Sequence, residues 1–166
     1  MLKYFITDPN AIPPKFGTKH SACFDLSACL MGRKINSYSK MNEMYESPEI
    51  IDQVEIPAEW RVLIPTGLIL DIPEGYSVRI HSRSGLSLKQ GLILANCEGI
   101  IDSDYINELM IMIKNDSLQR ITIKHGDRIA QGELVKSLDY TIEECYTAPR
   151  QKTDRNGGFG STGVSI

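Results

Sequence analysis

The chain has 166 residues, 42% hydrophobic and 23% charged, with a formal net charge of −3, which is the length of one domain able to close a sizeable core. The slightly acidic balance excludes a global electrostatic footprint for nucleic acid or an anionic membrane, so an anionic ligand would need cations gathered locally. No run is long and apolar enough for a signal sequence or a bilayer span, and the expectation is a soluble, cytoplasmic protein with no nucleic-acid or membrane partner.

Leu2 to Thr7 alternate apolar and polar positions and read as an edge strand, stopped by Pro9, Pro13 and Pro14. In His20 to Leu30, Phe24, Leu26 and Ala28 share one strand face while Asp25 and Ser27 share the other. An Asp is disfavoured in a strand, so Asp25 either faces solvent or has a job. Residues 31–56 form a polar, elaborated connection expected to be more mobile than the rest. Met41, Met44 and Tyr45 within it have the spacing of a short amphipathic helix ending before Pro48, without a capping box.

Order returns at Trp60, with Val62, Ile64, Leu68 and Leu70 alternating, a turn at Pro73-Glu74-Gly75, and Val78 and Ile80 opening another strand. Arg83 to Gly91 reads either as a basic surface loop or as an anion site before a single helical turn that Gly91 terminates. Leu92 to Asn115 contains two apolar runs, Leu92 to Ala95 and Leu109 to Ile113, read as strands of a hairpin-like connection around Asp102, Asp104 and Tyr105. Those two carboxylates are either turn formers or chemistry fixed at a rigid tip. Ile121, Ile123, Ile129, Leu134 and Val135 continue the strand pattern around the turn His125-Gly126-Asp127.

Many short strands divided by turns, with hardly any helix, predict an all-β sandwich or barrel. From Ala148 the pattern collapses into a tail that cannot bury enough apolar surface to order itself, which divides the chain into a β-domain over 1–148 and a flexible arm over 149–166. The arm contains Gly158-Phe-Gly-Ser-Thr-Gly163, but nothing there can be the strand and helix a dinucleotide fingerprint requires, and no Lys follows for a Walker loop. Its backbone amides with Ser161, Thr162 and Arg155 could still wrap phosphates, and Phe159 could cover a flat ring. Cys23, Cys29, Cys97 and Cys145 show neither C-x-x-C nor zinc-like spacing with the histidines, and reduced, mostly buried thiols are expected.

Five segments taken together resemble, in order, the five motifs of the trimeric dUTP pyrophosphatase (dUTPase) family. They begin with His20-Ser-Ala-Cys-Phe-Asp-Leu-Ser-Ala, Arg83-Ser-Gly-Leu-Ser-Leu-Lys-Gln-Gly-Leu and Gly99-Ile-Ile-Asp-Ser-Asp-Tyr, and end with Gly126-Asp-Arg-Ile-Ala-Gln and Arg155-Asn-Gly-Gly-Phe-Gly-Ser-Thr-Gly. Three departures stand out. Cys23 occupies a position where the family usually has Gly, Ile106-Asn107 replaces Arg-Gly, with Asn suited to a positive φ if one is needed, and the connection after Cys29 is unusually long.

The resemblance implies a jelly-roll β-sandwich forming a homotrimer with active sites at subunit interfaces, hydrolysing dUTP to dUMP and pyrophosphate. It implies Asp102 as general base for a water attacking the α-phosphorus and Tyr105 under the deoxyribose. Asn96 and the backbone around Ile100, Ile101 and Met110 would read the uracil. Arg83, Ser84, Gly85 and Gln131 would hold phosphate oxygens, while Arg155, Phe159, Gly160 and Ser161 of the arm would close over a neighbour's site. Mg²⁺ is implied on the triphosphate, with Asp25 reaching it through water. Two rivals follow from the same likeness. A deoxycytidine triphosphate deaminase would carry a glutamate where Met112 stands, and a nucleotide-binding regulatory protein would act through a partner.

Overall fold

The computed structural model describes residues 1–154. Arg155, Phe159, Gly160, Ser161 and the glycine run around them lie outside the described residues. In chain order the elements are β1 (Lys3–Ile6), β2 (Lys15–Phe16), β3 (Phe24–Ser27), β4 (Asn36–Tyr38), β5 (Met44–Glu46), β6 (Gln53–Ile56), β7 (Arg61–Pro65) and β8 (Leu68–Asp71). They continue with β9 (Tyr76–Ser82), α1 (Ser84–Gln90), β10 (Leu92–Leu94), β11 (Gly99–Ile101), β12 (Met110–Asn115), β13 (Ile121–Lys124) and β14 (Arg128–Lys136).

Two five-stranded sheets form the layers, one ordered β10-β12-β7-β4-β5 and the other β11-β9-β14-β3-β2. Two ribbons, β1-β8 and β13-β6, complete the fold, and every pairing is antiparallel. Period-two alternation drives this arrangement. On β12, Ile111 and Ile113 point into the core while Met112 between them is exposed, and on β9, Val78 and Ile80 turn inward while Arg79 and His81 turn outward. Residues of both sheets join one hydrophobic cluster, where each fully buried Ile or Leu contributes about 1.5–3 kcal/mol. The expected β-sandwich is therefore what forms, and the expected edge strand over Leu2 to Thr7 is β1.

Three expectations are corrected. Met41, Met44 and Tyr45 belong to a β-hairpin, β4-β5, that extends one sheet beyond β7. The Ser39 hydroxyl accepts the amides of Met41 and Glu43, and Asn42 turns the tip at φ 63°. Local side-chain hydrogen bonds of that kind outcompete helix, and stacking of Tyr45 on Trp60, centroids 4.9 Å apart, fixes the hairpin. In Leu92 to Asn115 the two apolar runs do pair antiparallel, as expected, but the connection between them is more than a hairpin turn. β10 pairs with β12 in one sheet, but β11 between them crosses to the other and pairs with β9. Finally, the thiols are not mostly buried: Cys29 is buried and Cys23 half-buried, but Cys97 and Cys145 are exposed.

A buried asparagine anchors β12. Asn115 is fully shielded, its amide donates to the carbonyls of Ile56, Pro57 and Gln119, and its Oδ1 accepts from the Ser117 amide and hydroxyl. One side chain thereby ties the end of β6 and the turn after β12 to β12 itself.

Candidate active site

The residues singled out from the sequence fall into two groups. Asn96, Ile100, Ile101 and Met110 line a cleft of about 120 Å³ where β11 of one sheet meets β10 and β12 of the other. The crossing of β11 between the sheets creates this cleft. Ala95 to Glu98 form the tight turn that makes the crossing, with Cys97 at φ 64° and its amide donating to the Leu94 carbonyl. Gly99 suits the close approach at the landing point, since a Cβ there would sit 3.0 Å from the Ile80 Cβ and force a small shift. Apolar walls from Leu94, Ile80 and Ile111 with one amide side chain and strand-edge backbone suit a single flat ring read along its polar edge. Met112 also lines the cleft, and its thioether cannot supply a proton.

Asp102 follows β11 directly in a turn closed by the Tyr105 amide donating to the Asp102 carbonyl. Both side chains are exposed, and the Tyr105 hydroxyl donates to the Glu108 carbonyl at 3.0 Å. Asn107 does not adopt a positive φ, so no glycine-like conformation is needed there.

The loop is braced from a distance by residues that no sequence motif singles out. The Glu108 carboxylate accepts the Gly67 amide and an Arg33 Nη2 donor, each at 2.7 Å, and Arg33 Nη1 lies 3.2 Å from Asp8. A hydrogen bond from the Asn10 amide, aided by Arg33, holds the Asp8 carboxyl below its ordinary value, and the bond to Glu108 raises Arg33. Arg33 and Glu108 are 75 positions apart, and no local pattern signals the pairing.

The second group surrounds Asp25. The carboxylate is buried with two guanidiniums and an amide: Arg83 Nε at 3.4 Å, Arg128 Nη1 at 2.9 Å and Gln131 Nε2 at 3.3 Å. Asp25 therefore has a job, which is to hold two arginines and Gln131 on one sheet face. Arg83 also donates to the Arg128 carbonyl. Two guanidiniums against one carboxylate leave the cluster cationic, in a chain that is acidic overall. Arg83 is followed by α1, which ends at Gly91 in the left-handed region, φ 70°, as the sequence predicts. A Cβ built on Gly85 meets nothing within 4 Å and its φ is ordinary, so packing among the described residues does not explain this glycine.

Arg128 is the member of this cluster that sequence reasoning misses. It lies three residues before Gln131, so strict alternation would place the two on opposite faces. The register of β14 against β3 shifts between Arg128 and Ala130, and this bulge at Ile129 returns both side chains to Asp25. As for a metal, both Asp25 oxygens are already engaged by cationic or amide donors, so the cluster fits a polyanion bringing its own hydrated divalent ion, not a bare cation held by protein ligands.

Within one chain, Asp102 and the cationic cluster lie towards opposite ends of β9. Ile101 pairs with Val78, and Arg83 lies five residues further along the strand direction of β9. At about 3.3 Å per residue that puts the Asp102 end of the cleft roughly 17 Å from Arg83, while the opposite end comes close to it, the Leu94 amide donating to the Ser82 hydroxyl at 2.9 Å.

Comparison with known proteins matches a family model for dUTPase over residues 50–163. The deoxyuridine 5′-triphosphate nucleotidohydrolase of Finegoldia magna is 51% identical over 104 residues, covering 62% of this chain and 71% of its own. That of Wolinella succinogenes is 37% identical over 158 residues, covering 95% and 90%. Among solved structures, a Staphylococcus bacteriophage 80alpha dUTPase with dUPNHPP is 25% identical with a TM-score of 0.73, covering 99% of both chains. A point mutant of the dUTPase from phage phi11 of S. aureus, described with a structural Mg(II) ion, shares the fold at 21% identity, a TM-score of 0.71 and coverage of 90% and 99%. The jelly-roll sandwich is thus shared with these structures, and a family model running from β6 onward agrees with a relative aligned over nearly its whole length: the chain belongs to the dUTPase family.

Proposed function

We propose that the protein hydrolyses dUTP to dUMP and pyrophosphate as a cytoplasmic homotrimer, limiting uracil incorporation into DNA and supplying dUMP for dTTP synthesis. The single observation that carries this reading is an edge-reading cleft with Asp102 at one end, that end lying roughly 17 Å along β9 from the Arg83 of a cationic cluster on the same chain. Neither is a complete site, and a symmetric oligomer that sets one chain's cleft against another's cluster makes a whole one. Exposed apolar side chains on β1 and β2, among them Tyr4, Phe5, Ile6 and Phe16, supply surface for such an assembly.

In this reading uracil enters the cleft, its polar edge meeting Asn96 and the backbone of Ile100, Ile101 and Met110, with no room for a 5-methyl group. Tyr105 packs under the deoxyribose and excludes a 2′-hydroxyl. Asp102 orients a water and takes its proton as the oxygen attacks the α-phosphorus. The bond from that phosphorus to the bridging oxygen breaks, and pyrophosphate leaves. Arg83, Ser84 and Gly85 with Gln131 of a second chain hold the phosphate oxygens, Asp25 keeping Arg83 and Gln131 in position. Mg²⁺ bound to the triphosphate offsets charge on its oxygens, with Asp25 reaching it only through water. The arm over 149–166 closes the site with Arg155, Phe159, Gly160 and Ser161.

Met112 in place of a glutamate leaves the cleft without a proton donor for base chemistry, which argues against deamination of dCTP. Pyrophosphate release from dUTP, compared with dTTP and UTP, tests the reading. Strong preference for dUTP is expected, and equal turnover of the three would contradict both the cleft and the role of Tyr105. A second, regulatory role is favoured by one observation: the β4-β5 hairpin projects Met41 and Met44 into solvent at the sheet edge. Replacing both with Ser should leave hydrolysis intact while abolishing any partner binding that depends on the hairpin.

A further inference from the structure

Outside the residues used above, one cluster of donors converges on the outer face of the β11-β9-β14-β3-β2 sheet. Cys23 Sγ, a His81 ring nitrogen and a Glu133 carboxylate oxygen all lie within 4.8 Å of one another. Sheet register explains why they meet. Gln131 faces Asp25 across β14 and β3, and Gly132 faces Phe24, so the next step places Glu133 beside Cys23, while His81 faces Gln131 from β9. Each donor sits two residues from a member of the cationic cluster: Cys23 from Asp25, His81 from Arg83 and Glu133 from Gln131. On a pleated sheet that is the same face, one row along.

The geometry of the pair at the centre is informative. His81 Nε2 lies 3.4 Å from Glu133 Oε2, yet this nitrogen is shut off from solvent and has no hydrogen-bond partner among the described residues. Two donor atoms that are close but not aimed at each other can converge on a common third point. A tetrahedral zinc with Zn–N and Zn–O lengths of about 2.0–2.2 Å needs those atoms about 3.3–3.5 Å apart. The other ring nitrogen, Nδ1, is 3.7 Å from Glu98, a carboxylate that Arg79 holds at 3.3 Å. A carboxylate behind a histidine is the usual outer support of a metal-ligating imidazole.

We propose that Cys23, His81 and Glu133 form a binding site for a zinc-like divalent transition metal, with a fourth position open to water. A thiolate, an imidazole and a carboxylate suit zinc or cobalt and are a poor set for Mg²⁺, which demands oxygen ligands. The site is therefore chemically distinct from any ion that arrives on a triphosphate. Burial, then Glu133 and Asp25, push the free Cys23 thiol above its ordinary value, so metal binding would release a proton from it. Because the three ligands come from β9, from β14 and from the segment leading into β3, an occupied site would clamp together the strands that carry Arg83, Gln131 and Asp25.

The test uses the full chain stripped of metal with chelator and then given Zn²⁺ or Co²⁺ alone, without nucleotide. The expected result is one equivalent of zinc per chain by elemental analysis, bound at least tenfold more tightly than Mg²⁺, and a near-ultraviolet thiolate-to-cobalt charge-transfer band. Cys23→Ser should abolish the band, and His81→Gln and Glu133→Gln should each weaken Zn²⁺ binding at least tenfold. Cys97→Ser with Cys145→Ser, which removes the exposed thiols, should change neither. Metal-free light scattering and thermal unfolding check each variant's assembly, and His81→Gln carries the test if Cys23→Ser fails to fold. Zinc binding no tighter than that of Mg²⁺, or a stoichiometry and affinity indifferent to His81→Gln, would overturn the proposal.

Discussion

Replacing Asp25 with Asn should weaken both the fold and the reaction. The carboxylate is about nine-tenths buried and faces Arg83, Arg128 and Gln131 at 3.4, 2.9 and 3.3 Å. At an effective dielectric near 20, each arginine pair is worth on the order of 5 kcal/mol before the cost of burying the charge is subtracted. Removing one partner of a buried ion pair usually costs about 3–5 kcal/mol. Here the Arg128 side chain is 56% exposed and can hydrate once released, and Asn keeps one acceptor, so the loss should fall lower, at about 2–3 kcal/mol. Urea unfolding at fixed protein concentration measures it, since an oligomer's stability depends on concentration. In kinetics the released Arg83 should raise KM for dUTP about tenfold or more, with a smaller change in kcat. Unchanged stability together with unchanged kcat/KM would refute the view of Asp25 as the residue that positions the cationic cluster.

Asn115→Ala removes the side chain serving the carbonyls of Ile56, Pro57 and Gln119; a loss of about 2–4 kcal/mol is expected in thermal unfolding. Arg33→Met breaks the brace from Asp8 to Glu108 and should lower kcat about tenfold by loosening the loop bearing Asp102, with KM for dUTP less affected. Burial pushes the Cys29 thiol up to about 11 from 9.0. Its contribution to stability is present below pH 9 and is lost as pH rises from 9 through 11, up to roughly 2–3 kcal/mol. Urea unfolding of wild type against Cys29→Ala across that range should show the difference, and Cys97 and Cys145 should react with thiol reagents at pH 8 while Cys29 does not. Deleting residues after Pro149 should leave an assembly of the same size with little activity, as read by light scattering and pyrophosphate release.

Much of the architecture is legible in the sequence because alternation survives wherever one strand face is buried, as on β9 and β12. It fails where local polar chemistry decides. At Met41 to Tyr45 a helical spacing of apolar residues is real, but the Ser39 hydroxyl and the left-handed Asn42 build a hairpin tip instead. The pairing of the two apolar runs around Asp102 is legible, but the third strand between them is not, because strand spacing says nothing about which sheet a strand joins. The turn at Cys97 sends β11 across the sandwich, and that crossing opens the cleft. For the site, Asp25 stands out as an acid in a strand, and Arg83 and Gln131 come with recognisable motifs. Arg128 is hidden by a one-residue bulge, and the Arg33–Glu108 brace and the Cys23–His81–Glu133 cluster join segments too distant for any local signal. A working site would take Asp102 from one chain and the cationic cluster from another, because β9 holds the two apart within a single chain.

That claim is tested most directly by mixing two inactive variants. Asp102→Asn removes the base, Arg83→Ala removes a phosphate ligand, and each homo-oligomer should be nearly inactive in pyrophosphate release. If the two variants are unfolded together and reassembled in equal amounts, a site shared between chains is intact in about one case in four. The mixture should therefore recover roughly a quarter of wild-type activity. A mixture as inactive as its parents, with mixed assemblies demonstrated by mass, would contradict the account.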